Sequence, residues 1–398
     1  MIKLALRRNL IFPFQMLLWG TLRDFMSYLI SHFLEFSNSS ILTLLMFIGE
    51  FLVGLIFHLL QKRYLSNKIK RNEWDFLNIR LIKPKENIVK ENKTILILII
   101  FTLSFYDFVQ FLLSIEMFKY TNISNSLEQR FGGFFTIYIA LFYYYWLKEP
   151  LLRHQIFSLI IIGICIFIII VTEIISQEID IFLSYSQFFL ALLIILFIQF
   201  LCSTIHIVEK YLFDFKNLSP FLTIMLEGLF GFIFTLIYCL FYETYTDIDK
   251  FYKINSATKF TFLIICFILY IILSGGKNLF RVVTTKIFNP VTTSFMDYIL
   301  NPFFIILYFF TVNDFTMNGK KNYAYFILNL IISFVISFSG GVFNEFIILF
   351  CCKLEYDTHN QVTNRSIAES RMGSIDDGDD EIILESGKSQ YIIQMEDI

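Results

Sequence analysis

Eight of the ionisable residues inside, or at the ends of, apolar runs long enough to cross a bilayer as helices could carry chemistry. The acids are Glu50, Asp107, Glu227 and Asp297; the bases are Arg130, Lys277, Arg281 and Lys286. A charge at the centre of a membrane helix costs about 2.5–3.5 kcal/mol on insertion scales, so each needs a partner or a wet cavity. Four of each sign give a nearly neutral interior. In one reading the bases hold an anionic solute while an acid carries a coupled proton. In the other the charges form fixed ion pairs, or sit at helix ends and snorkel. For Arg281 and Lys286 snorkelling and gating are equally open. Asp107 and Asp297 lie deeper, or at a cavity mouth, and suit a solute site. Gln129 and Thr293 are neutral hydrogen-bonders that suit a polar solute, and helix packing serves them nearly as well. Glu209-Lys210 reads as a loop ion pair at the end of a helix. No His/Cys/carboxylate group has metal spacing, no Gly-rich phosphate loop follows a strand, and no nucleophile–base pair is readable. The expectation is therefore no metal, no cofactor and no enzyme.

Two of the acids share a setting. Glu50 precedes Gly54 by four positions, and Glu227 precedes Gly231 by four, each inside an apolar run. Small residues let two membrane helices approach closely, so each glutamate is placed to bond across a helix contact. Glu50, Glu227, Gly231, Lys277, Arg281 and Lys286 are expected to hold the scaffold or its gates. Asp107, Gln129, Arg130, Thr293 and Asp297 are expected to face the solute.

The elements that position them follow from composition. The chain is 56% apolar and only 17% charged, which excludes an ordinary soluble domain. No basic aromatic groove suggests nucleic acid. Apolar runs fall near 10–33, 40–60, 95–118, 124–147, 155–175, 185–207, 220–242, 259–280, 290–311 and 323–350. They predict an all-α polytopic membrane protein with ten transmembrane helices. The first is the least apolar and carries Arg23 and Asp24, either an adjacent charge pair or the mark of a shorter helix. Asn301-Pro302 marks a break in the ninth, where freed carbonyls could line a cavity. Segment 61–93 holds ten Lys/Arg and four Asp/Glu, so the positive-inside bias makes it cytosolic. An even helix count then places both termini in the cytosol, with residues 1–9 as a cytosolic N-terminus. The 312–322 loop, with Lys320 and Lys321, runs against that bias. The six cysteines fall in or at the end of apolar runs and read as small buried residues. Residues 354–398 hold eleven acids and three bases and read as a disordered acidic cytosolic tail.

The halves 10–175 and 185–350 hold five runs each, so the second half would start from the opposite side of the membrane. That is the inverted-topology repeat of many transporters, with the substrate site near the midplane between the repeats. The glutamate helices, second and seventh, correspond. The fourth and ninth, from Ser124 and from Asn289, both begin polar and become apolar.

Several stretches together resemble the drug/metabolite transporter superfamily with its EamA-type repeats, and within it the solute carrier 35 group, nearest the F6-like branch. They are Phe47-Ile48-Gly49-Glu50-Phe51; Asp107 with Ser126 to Gly133 and Trp146-Leu147-Lys148; Val208-Glu209-Lys210-Tyr211 with Pro220 and Glu227 to Gly231; and Thr285-Lys286 with Thr292-Thr293 and Asp297. The resemblance spans about residues 10–350, in order. It implies a central cavity between the repeats and alternating-access transport of a small polar or anionic metabolite. It also implies an intracellular endomembrane such as Golgi, vacuole or lysosome. The chain departs from the family where Gly132-Gly133 replaces Arg-Gly and where Lys277 and Arg281 are extra charges. The implied partners are the lipid bilayer, the solute and a coupled proton or counter-solute; the sequence permits an oligomer. The alternative is a non-transporting scaffold or receptor acting through the acidic tail.

Overall fold

The protein is described by a computed structural model over residues 2–4, 11–30, 39–66, 93–121, 130–148, 151–179, 185–216, 218–241, 257–311, 316–317 and 320–349. The described residues are almost all helical. In chain order the helices are α1 (Ile11–Tyr28), α2 (Ser39–Ser66), α3 (Lys93–Thr121), α4 (Gly133–Trp146), α5 (Arg153–Ile179), α6 (Tyr185–Asp214), α7 (Pro220–Phe241), α8 (Ala257–Ile287), α9 (Pro290–Tyr298), α10 (Asn301–Thr311) and α11 (Tyr323–Phe343). Four short strands complete the order. β1 (Ile2–Leu4) pairs antiparallel with β4 (Ile347–Leu349), and β2 (Thr316–Met317) pairs with β3 (Lys320–Lys321).

Among the described residues, seven helices are long and apolar enough to cross a membrane: α2, α3, α5, α6, α7, α8 and α11. Large apolar side chains cover their outer faces, with Phe167 66%, Leu193 64% and Phe241 83% exposed. In water such a surface would aggregate; in hydrocarbon it is the matching solvent. The protein is a multi-pass membrane protein whose outer faces contact lipid.

The remaining helices are short for legible reasons. In α1 the Arg23 side chain bonds Asp24 Oδ1 from Nε (2.9 Å) and Nη2 (2.6 Å). The adjacent charge pair is therefore formed, within a described helix of 18 residues. The ninth apolar run is two helices. Pro302 has no N–H to give the Tyr298 carbonyl, so the ladder breaks there and α10 restarts at Asn301. At the start of α9 the Asn289 side chain accepts from Thr292 N (2.7 Å), with Pro290 at the first helical position. The charged segment 61–93 beyond Ser66, and the tail 354–398, lie outside the described residues.

Helix α2 packs most extensively on α7. Helix α8 lies against α1 and α2, α3 against α6 and α7, α4 against α6, and α5 against α11. The α2–α7 approach is close enough to require glycine. A Cβ at Gly54 would lie 2.6 Å from Met225 N, and one at Gly228 would meet the backbone of Glu50 and Phe51. One at Gly231 would run into the Phe47 ring. The two Glu-x-x-x-Gly turns thus face each other across one crossing.

Candidate functional site

The buried charges gather at three levels. At the first level, the C-terminal ends of α6 and α8 hold each other. Lys210 Nζ donates to Phe288 O (2.8 Å) and Lys286 O (3.2 Å), and Lys286 Nζ donates to Phe213 O (2.7 Å). Asp214 stands beside both lysines, at 3.2 and 3.8 Å. A cation at a helix C-terminus satisfies carbonyls that lack intrahelical partners. Lys286 is buried in this exchange, so it does not snorkel. The same end carries a Ser219 Oγ–Gln61 Oε1 bond of 2.6 Å and a His154 Nε2–Glu345 Oε1 contact of 3.5 Å. Thr292 donates to Asn344 Oδ1 (2.9 Å), joining the end of α11 to the start of α9.

The middle level is built on one face of α8. Arg281 Nη1 contacts both oxygens of Glu209 on α6, at 2.8 and 3.0 Å, and Nη2 lies 3.6 Å from Glu227 Oε2 on α7. One turn away, Asn278 Nδ2 donates to Glu50 Oε1 on α2. Asp107 on α3 lies within electrostatic reach of Arg281, Glu209 and Lys277. Arg281 is buried, so it does not snorkel either, and Glu209 is wholly buried rather than looped out. Glu209 and Lys210 are not partners of one another as a loop pair. They are successive helical positions about 100° apart, and each turns to a different part of α8. Beside this cluster, Lys277 Nζ reaches Asp297 Oδ1 on α9 at 3.3 Å, with side chains 17% and 29% exposed. Arg23, 19% exposed, acts electrostatically on the same aspartate.

The third level lies at the opposite end of α5 and α11. Arg130 Nη1, ahead of α4, donates to Glu173 on α5 and to Tyr325 Oη on α11 (2.8 Å), and Tyr325 Oη donates to Glu173.

The expected solute-facing residues are therefore not one constellation. Asp107 and Asp297 lie near Lys277. Arg130 belongs to the far-end group. Thr293 is buried and shares a 3.0 Å bond with Thr285 Oγ1. Gln129 lies outside the described residues. The expected scaffold residues Glu50, Glu227, Gly231, Arg281 and Lys286 are all buried in helix contacts, with Lys277 at their edge. Sequence reasoning missed Glu173, Asn278 and Tyr325. Glu173 carried the same signal as Glu50, an acid within an apolar run. Asn278 sits between two noted cations on the face of α8. Tyr325 carried no signal.

A small cleft among the described residues lies elsewhere, lined by residues such as Thr43, Phe111, Thr235 and Tyr238. None of the ionisable candidates borders it. The part-exposed Lys277–Asp297 pair is the better candidate site, because ions in a membrane bundle need water or partners. No family model matches the chain, and no curated protein matches it.

Proposed function

We propose that the chain is a secondary transporter that moves a small polar or anionic metabolite by alternating access, as the resemblance to the drug/metabolite and solute carrier 35 transporters implies. The observation that carries this reading is the division of the interior charges. Arg281, Glu209 and Glu227 are closed against each other, with side chains 10%, 0% and 5% exposed. Lys277 and Asp297 keep exposed charge between α8 and α9, next to Arg23 on α1. A solute site needs charges that stay accessible, and this pair, unlike the Arg281 cluster, keeps part of both side chains exposed.

Helix packing supports the two-repeat architecture. Counting α9 and α10 together as the ninth of ten passes, the most extensive contacts pair off when each pass is exchanged with the one five later, while the lesser 6–8, 8–9 and 6–9 contacts have no such counterpart among the stronger ones. The 2–7, 4–9 and 5–10 contacts map onto themselves, 1–8 maps onto 3–6, 2–8 onto 3–7, and 4–6 onto 1–9. In an inverted repeat the solute site lies between the halves. The Lys210–Lys286 clasp and the Arg130–Glu173–Tyr325 group, at opposite ends, fit the two gates that alternating access needs. Asp107, Asp297 and Lys277 are the residues we assign to the solute. Pairing of β1 with β4 keeps both described chain ends on one side of the bundle, as cytosolic termini require. An endomembrane location follows from the resemblance alone.

The test is uptake by purified protein in liposomes, screened over nucleotide sugars, nucleotides, sugar phosphates and amino acids. Solute-dependent uptake that Asp297→Asn abolishes supports the proposal. Uptake of none of them, by a folded protein, counts against it.

A further inference from the structure

The middle-level cluster contains more acid than base. Four carboxylates surround Arg281: Glu209 on α6, Glu227 on α7, Asp107 on α3 and Glu50 on α2. The other cation in reach, Lys277 on α8, is engaged by Asp297. His206 and Cys202 on α6 and Tyr270 on α8 also lie within this electrostatic set; His206 Nδ1 already contacts the Cys202 carbonyl at 2.8 Å. The hydrogen bonds are unequally shared. Glu209 takes both short contacts from Arg281 Nη1, and Glu50 takes the Asn278 amide. Glu227 is left with one 3.6 Å contact on Oε2, and its Oε1 is buried with no hydrogen-bond partner. The side chain is 5% exposed.

An ionised carboxylate is stabilised by donors and by unopposed cations; Glu227 has neither. A buried charge without a full partner is among the most expensive features a bundle can carry. We propose that Glu227 is a proton-binding site, with the bound proton on Oε1, and that this proton is the ion coupled to transport. A proton suits the site because what is left unsatisfied on Glu227 is a single buried carboxyl oxygen. Its coupling role rests on the transporter reading. Binding and release would change the charge facing Arg281, and so the hold of α8 on α6 and α7.

Infrared spectroscopy of the purified full chain, without any solute, tests the site separately from transport. The carbonyl band of a protonated carboxylic acid is distinct from carboxylate bands and shifts in D2O. The expected result at neutral pH is such a band in the wild type and its loss in Glu227→Gln. In Glu209→Gln the band should weaken, because Arg281 is released to pair with an ionised Glu227; a merely structural Glu209 would leave it unchanged. An identical spectrum in wild type and Glu227→Gln overturns the proposal, as does loss of the band when sodium replaces potassium, which would make sodium the resident ion. Uptake without the band leaves the transporter reading standing and removes the proton site. The band without uptake of any solute does the reverse.

Discussion

Lys277 and Arg281 stand one turn apart on the same helix, yet they live in different surroundings. Arg281 is clamped by Glu209 and approached by Glu227, with 10% of its side chain exposed. Lys277 has a single carboxylate at 3.3 Å, and that carboxylate is 29% exposed. The stem of Lys277 passes Gly20 on α1, where the missing side chain leaves it space. Planar guanidinium suits the closed, multidentate site; a flexible ammonium suits the open one. The contrast teaches that a charge in a membrane helix is not one kind of object. The same four-residue spacing places a closed, multidentate cation at one position and a part-exposed one, the site we propose for the solute, at the next.

The comparison can be broken from either side. The largest effect is expected from Arg281→Met. It strands several buried carboxylates, and losing one partner of a buried pair costs about 3–5 kcal/mol. Unfolding of the purified protein in detergent should show a large loss of stability. A variant as stable as the wild type would mean that Arg281 is not a structural bolt. Next comes Gly228→Val, which pushes a side chain into the Glu50–Phe51 backbone and should cost about 1–3 kcal/mol, read in the same unfolding experiment. Unchanged stability would mean that α2 and α7 do not cross so closely. The smallest effect is expected from Lys277 and Asp297. A double-mutant cycle on this part-exposed pair should give a coupling of about 0.2–1 kcal/mol. A coupling several times larger would move the pair into the closed class and remove its claim on a solute.

Much of the architecture was legible in the residues. The apolar runs located the helices, and the Glu50/Gly54 and Glu227/Gly231 turns marked two corresponding helices at close helix contacts; that these two cross each other is a finding of the structure. Asn301-Pro302 gave the break between α9 and α10, because a missing N–H is a local property of the chain. Partner choice was not legible. Arg281 meets Glu209 across 72 positions, and Arg130 meets Tyr325 across 195. Which faces of two helices turn toward each other depends on packing that no local pattern records. Arg281 and Lys286, near a helix end, looked free to snorkel. Burial between α6 and α8 decided otherwise. The fourth run was read from 124; residues 122–129 lie outside the described residues, Arg130 is helical, and α4 is described from Gly133.

The central claim is that the part-exposed Lys277–Asp297 pair, not the closed cluster, meets the solute. The most direct measurement is liposome uptake by Asp297→Asn and Lys277→Gln proteins that unfold at the wild-type temperature. Loss of uptake in both, with stability intact, is the expected result. Wild-type rates in both variants would contradict it.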